Sequence, residues 1–257
     1  MRVIVLKRKP LMIMAVIVTL SSFSFFLKQE AIVSVLSKNL KPIYSTKTAT
    51  NKIALTFDIS WGRTNVVPIL DILAKEDVKA TFFLSSPWSS DNQDLVEKII
   101  ASGNEVGSHG RKHVDMNKLS ANDLETELTA AQETLEKLTN KKITVFRPPN
   151  GAYDNKVIQT ASAHGQRVIQ WSIDSLDWKR PGKEAVIKNV LEGRKSNDGA
   201  KPGDIILFHA SDSAPDTPGA LPEIITALKH KGYELVTVSD LLANSSETWP
   251  PESQLPE

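Results

Sequence analysis

From residue 52 to residue 238, short β-type runs alternate with helical runs, and this alternation sharply limits the folds open to the chain. Strand-like runs at 52–57, 79–84, 104–107, 144–146, 167–172, 204–209 and 234–238 are separated by mostly helical stretches. The helix predicted at 65–76 places Val66, Ile69, Leu70 and Leu73 on one face. Further helices are predicted at 94–101, 154–164, 183–194 and 217–231. Ser120 opens the clearest helix: Asp123 completes a capping pattern, and Leu124, Leu128, Ala131, Leu135 and Leu138 recur at helical spacing. About seven β units joined in this way predict a parallel sheet with covered faces, favouring a closed α/β barrel over an open doubly wound sheet.

The ends of the chain read differently. Arg2, Lys7, Arg8 and Lys9 precede an uncharged apolar run at 11–27, the pattern of a signal peptide or membrane anchor. No clean small-residue cleavage motif follows, which favours an uncleaved anchor with the remainder outside the cytoplasm. Residues 28–51 read as a linker, 52–242 as one folded domain, and 243–257, rich in Pro and Glu, as a disordered tail. With 31 basic against 30 acidic residues, the net charge of +1 provides no basic face for nucleic acid. The absence of cysteine excludes thiolate metal sites, disulfides and cysteine nucleophiles.

In parallel α/β folds, reactive groups gather where strands run into the loops that follow them. Asp58, His109, His113, Arg147, Asp174, Asp177 and His209 all stand at or just after predicted strands, on five separate segments. His164 and His230 instead fall in last helical turns, where the helix dipole favours them without any function. The His109-x3-His113 spacing can bring two imidazoles to one ion, and with no cysteine it suits zinc or another borderline divalent metal. Asp58 leaves an apolar strand between bulky neighbours, so burial would raise its pKa and a nearby cation would lower it.

Five segments occur in a telling order: Thr56-Phe57-Asp58, Ser108-His109-Gly110-x-x-His113, Arg147-Pro148-Pro149-Asn150-Gly151, Asp174-Ser175-Leu176-Asp177-Trp178 and Ile206-Leu207-Phe208-His209. Together they resemble the motifs of polysaccharide deacetylases of the NodB-homology type (carbohydrate esterase family 4). The DISWG, RPPNG, SLDWK and HASDS segments further resemble the sporulation-associated PdaB-like subgroup. The resemblance implies a distorted (β/α)7 barrel behind an N-terminal hydrophobic helix, and metal-dependent removal of N-acetyl groups from a cell-wall glycan such as peptidoglycan. It makes Asp58 the base that activates water, Arg147 the residue that tunes it, and His209 the acid, supported by Asp177. His109 and His113 become ligands of a weakly held divalent metal, zinc first and cobalt or manganese as alternatives. The Asn150 backbone N–H becomes the oxyanion donor, and Trp178, Pro149, Asp174 and Leu207 line the substrate pocket. The N-terminal segment leads us to expect a protein outside the cytoplasm, secreted or membrane-anchored, and a monomer is expected; the PdaB-like resemblance would place it in the forespore envelope.

Two positions depart from the family pattern. Ile59 stands where the family has a second aspartate, its third metal ligand, and Asn150 stands where an aromatic residue is usual. Restoring the ligand by Ile59→Asp is expected to tighten metal binding. The alternative reading is a catalytically impaired glycan-binding protein of spore-envelope assembly, with Trp61, Trp88 and Trp178 stacking on sugar rings.

Overall fold

The computed structural model describes residues 40–47, 50–194 and 198–243. The chain divides into Met1–Leu40 and Lys41–Glu257, and the fold described here is that of the second unit. The apolar run at 11–27 and the tail from residue 244 lie outside the described residues. Among the described residues, no helix is long and apolar enough to cross a membrane.

Eight strands form one sheet: β1 (Lys52–Ile59), β2 (Thr81–Leu84), β3 (Glu105–Ser108), β4 (Val145–Phe146), β5 (Arg167–Val168), β6 (Ile173–Asp174), β7 (Ile205–His209) and β8 (Glu234–Val236). They pair in parallel in the order β5-β4-β3-β2-β1-β7-β6, and β8 pairs with Lys52–Ala54 at the start of β1. The helices are α1 (Val66–Lys75), α2 (Ser86–Asp91), α3 (Gln93–Ala101), α4 (Ala121–Thr139), α5 (Asn155–Ala163), α6 (Lys183–Leu191), α7 (Thr217–His230) and α8 (Val238–Ala243). The sheet curls into the distorted barrel that the strand–helix rhythm implies.

Local chemistry sets the helix ends. Ser120 Oγ accepts the Asp123 N–H at the start of α4, and Asn140 ends that helix in the left-handed region at φ 50°. Asp154 caps α5 by accepting the Val157 N–H. The run expected as one strand at 167–172 is interrupted, because the chain leaves β5 after Val168 and crosses to β7's far side, where β6 begins. The connection is too short for a crossover helix, so β5 and β6 remain the two ends of the sheet path.

Part of the stretch expected as linker occupies this seam. Ile43 bridges Ile169 in parallel, and Ser45 bridges Asp204 in antiparallel fashion. Ile43 N–H donates to Val168 O (2.9 Å), Gln170 N–H to Ile43 O (2.7 Å) and Thr46 N–H to Gly203 O (2.9 Å). The segment has no periodic pattern because it pairs through isolated bridges and not through a ladder.

Strand alternation separates two cores. Ile53, Leu55, Phe57 and Ile59 of β1 pack with Phe82 and Leu84 of β2, Phe208 of β7, and helix residues including Val66, Ile69 and Ile224. Phe57 stacks on Phe82 and Phe208 at centroid distances of 5.0 and 5.6 Å. Ala54, Phe83, Val145, Ile169 and Ile205 belong to a second cluster, inside the barrel. The even-numbered β1 positions therefore look inward, and at the top of that inner row stand Thr56 and Asp58.

Candidate active site

β1 and β7 pair in a register that sets Asp58 opposite His209, and Ala210 N–H donates to Asp58 O (3.1 Å). Beside β1, β2 leads to β3, whose last residue, Ser108, immediately precedes His109. A cleft of about 360 Å³ opens where these strands end, lined by Asp58, His109, His113, Asn150, Asp174, Trp178, Leu207 and His209. The rim placement expected from strand ends is thus what the fold delivers. Trp61, Trp171 and Ser213 complete the wall.

Arg147 lies beneath the cleft with no exposed surface. Its Nη1 donates to Asp58 Oδ1 (2.8 Å) and Thr56 Oγ1 (2.8 Å), and its Nη2 donates to Gln170 O (3.0 Å). Its guanidinium also lies 4.2 Å from the centroid of Phe83. Burial drives the Asp58 pKa up, but Arg147, His109 and His209 together bring it below the ordinary carboxylate value. The sequence expectation of opposing burial and cation effects resolves in favour of the cation.

His109 is buried, with Nδ1 2.8 Å from the Arg147 carbonyl. A carbonyl can only accept, so Nδ1 carries the proton and Nε2 keeps its lone pair. That Nε2 lies 3.7 Å from Asp58 Oδ2. Burial lowers the His109 pKa to about 4 and also lowers that of His113. The two rings meet edge to face at 5.6 Å.

His209 is held from behind by Asp177, which is fully buried. One Asp177 oxygen lies 2.8 Å from His209 Nδ1 and accepts the Trp178 N–H; the other accepts from His209 N–H (2.7 Å) and Thr217 Oγ1 (2.6 Å). Burial opposes protonation of His209, but the Asp177 hydrogen bond and charge outweigh it and raise its pKa. Burial also raises that of Asp174, whose carboxylate accepts the Leu176 N–H.

Asn150 adopts a left-handed conformation at φ 58°. Gly151 and Ala152 N–H donate back to Pro148 and Pro149, while Asn150 N–H reaches no backbone carbonyl among the described residues. Two pocket expectations fail. Pro149 is buried and is not among the residues of the cleft wall. Trp88 is also buried, its indole N–H donating to Gly62 O, so it braces the loop and does not meet sugar.

Two positioning residues were not singled out from the sequence. Glu127 of α4 is buried and accepts from Arg111 Nε (3.3 Å) and the Lys112 N–H, clasping the turn between His109 and His113. Its signal was a carboxylate set against the apolar stripe of Leu124, Leu128 and Ala131. Asp212 accepts from Thr64 N–H (2.8 Å) and Thr64 Oγ1 (3.1 Å), tying the loop after β1 to the loop after β7. Gly62 is required there: at φ +76°, an added Cβ would lie 2.3 Å from Asp212 Cγ. The clasp holds Trp61 edge-on to His113 at 5.3 Å.

A family model described as polysaccharide deacetylase matches residues 45–169. The peptidoglycan-N-acetylglucosamine deacetylase of Bacillus cereus is 34% identical over 214 residues, covering 80% of this chain and 97% of that protein. The chain belongs to the polysaccharide deacetylase family. Within it, the uncharacterized protein YlxY of Bacillus subtilis is 34% identical over 79% of this chain, and the match spans 60% of that longer relative. Among solved structures, BA3943 of Bacillus anthracis, described as a CE4 family pseudoenzyme, has a TM-score of 0.72 at 34% identity, covering 79% of this chain and 70% of that one. A BA3943 mutant described as having restored enzymatic activity has a TM-score of 0.72 and 35% identity, covering 79% of this chain and 72% of that one.

The donor set fits the family's divalent metal only in part. His109 offers a free Nε2 whose orientation is fixed through Nδ1, the arrangement usual for a metal-bound imidazole, and His113 shares the cleft. The position expected to supply the third ligand is Ile59, which has no exposed surface and packs among the helices. Among the described residues, no three His, Cys, Asp or Glu side chains converge to hold an ion.

Proposed function

We propose that this chain hydrolyses N-acetyl groups from a cell-wall glycan, with peptidoglycan as the substrate class. The observation that carries the reading is the juxtaposition of Asp58 and His209 across β1 and β7, each held by a buried partner of opposite charge. Support for the substrate comes from relatives named as peptidoglycan and chitooligosaccharide deacetylases.

Hydrolysis adds water across the amide: the carbonyl carbon gains oxygen, the C–N bond breaks, and the nitrogen gains a proton. Asp58, kept ionised by Arg147, takes a proton from the attacking water. Its lowered pKa limits its strength as a base, so its contribution is chiefly one of position. The Asn150 N–H is the donor for the oxyanion, a role worth about 3 kcal/mol in comparable sites. His209, kept protonated by Asp177, delivers its proton to the leaving nitrogen, and acetate and the free amine depart. His109 and His113 are the residues that would hold a divalent ion, which when bound polarises the carbonyl and acidifies water.

Ile59 favours a second reading, a glycan-binding protein that has lost turnover; the similar BA3943 is described as a CE4 family pseudoenzyme. Acetate release from N-acetylglucosamine oligomers and from peptidoglycan, with zinc, cobalt or manganese, separates the two. We expect release that falls at least about 100-fold in Asp58→Asn and in His209→Ala. Binding without release in the wild type would establish the second reading.

The segment at 11–27 supports export and membrane attachment, which would place the domain on the glycan side of the membrane. The sporulation role rests on the likeness of DISWG, RPPNG, SLDWK and HASDS to the PdaB-like subgroup.

A further inference from the structure

Among the described residues, the exposed large hydrophobic side chains are Tyr44, Trp61 and Trp178. Two of them line the cleft. The third, Tyr44, is 42% exposed on a backbone fixed by the Ile43–Ile169 bridge and the Gln170 N–H bond to Ile43 O. Solvent-facing tyrosine on so constrained a segment presents a flat ring at little further cost in order.

Its hydroxyl donates to Tyr153 Oη (3.1 Å). Tyr153 lies in the loop that carries Asn150 into the cleft, three residues further along the chain. The same loop backs onto the cleft wall: an added Cβ at Gly151 would lie 3.1 Å from the ring of Trp171, and Gln170 Nε2 donates to Gly151 O (3.1 Å). Through Tyr153, Tyr44 is thus tied to the loop whose Asn150 lines the cleft and whose Gly151 packs on Trp171 of the cleft wall. The Tyr44 O–H is taken by Tyr153, so Tyr44 Oη is left as an acceptor for a sugar hydroxyl.

We propose that Tyr44 and Tyr153 form an outer carbohydrate subsite, binding a sugar unit of the glycan beyond the one that reaches Asp58 and His209. The occupant is a continuous glycan chain, because the pair is anchored on the loop that lines the cleft through Asn150 and carries two hydroxyls beside an exposed, stackable ring, the pairing that suits a pyranose. This inference rests on the glycan reading of the cleft. It gives the segment at 41–47 a role in selecting chain length.

The test is binding of N-acetylglucosamine oligomers of two and of five units, by calorimetry, to wild type, Tyr44→Ala, Tyr44→Phe and Trp178→Ala at matched metal content. We expect Tyr44→Ala to weaken the pentamer by about 3- to 10-fold and to leave the dimer unchanged. Tyr44→Phe should lose less, and Trp178→Ala should weaken both lengths. Unchanged circular dichroism and melting of Tyr44→Ala exclude a folding defect, and Tyr44→Phe carries the test if that variant is damaged. If Tyr44→Ala leaves the pentamer unaffected while Trp178→Ala weakens it, the subsite is refuted and the glycan reading stands. If the wild type binds neither length, both fall.

Discussion

Ile59→Asp, the substitution that the family motif invites, is expected to damage the protein and not to mend its metal site. Ile59 shares its face of β1 with Ile53, Leu55 and Phe57, pairs in register with Leu84, and has no exposed surface. Removing the isoleucine forfeits about 2–3 kcal/mol of apolar burial. The introduced carboxyl enters an apolar layer, so it takes up a proton; holding it neutral at about pH 7, against a reference pKa near 3.9, costs about 4 kcal/mol. A loss of roughly 6–7 kcal/mol lowers Tm by about 12–28 °C in a domain of this size. The introduced group's pKa is raised in the fold, so the folded variant binds the extra proton, and its deficit against wild type shrinks as pH falls toward about 4. Thermal melts of both proteins across this pH range, with calorimetric zinc titrations, check the reasoning. A variant that melts with the wild type at every pH and binds zinc more tightly would show that position 59 turns into the cleft, and would refute it.

Other expectations follow from the buried partners of the site. Arg147→Met strands the Asp58 carboxylate, and breaking a buried pair of this kind costs about 3–5 kcal/mol by denaturant titration; a loss under about 1 kcal/mol would contradict the pairing. Glu127→Ala leaves the Lys112 N–H without its acceptor, lowering stability by about 1–3 kcal/mol and zinc affinity by about tenfold, whereas Glu127→Gln retains most of both. Calorimetry on the two variants decides whether the clasp or the charge matters. The His209–Asp177 pair stabilises the fold fully below His209's ordinary value of 6.5 and loses that contribution as pH rises through its raised value. The melting gap between wild type and His209→Ala should therefore be wider near about pH 5.5 than near about pH 9, and an equal gap would contradict it.

Much of this site was readable because its chemistry is concentrated at strand ends. Asp58, His109, Arg147, Asp177 and His209 follow apolar runs, and a parallel sheet brings such positions to one edge. The direction of Ile59 was also within reach: 53, 55, 57 and 59 alternate with the inward row. Comparison by motif hides this, since it aligns positions without regard to the face they occupy. Glu127 and Asp212 were harder, because each acts across more than a dozen residues of intervening chain, on main-chain N–H groups that leave no mark in composition. Residues 41–47 leave no pattern at all, since isolated bridges impose no alternation.

Arg147 serves the two sides of the cleft with different atoms. Its guanidinium grips Asp58, while its carbonyl fixes the tautomer of His109. Genetic change reaches only the first, since every amino acid brings the same amide oxygen. The imidazole's bearing is thus insured against drift at this position while the carboxylate's is exposed to it, and a lineage abandoning turnover here would forfeit its base long before its histidine lost aim.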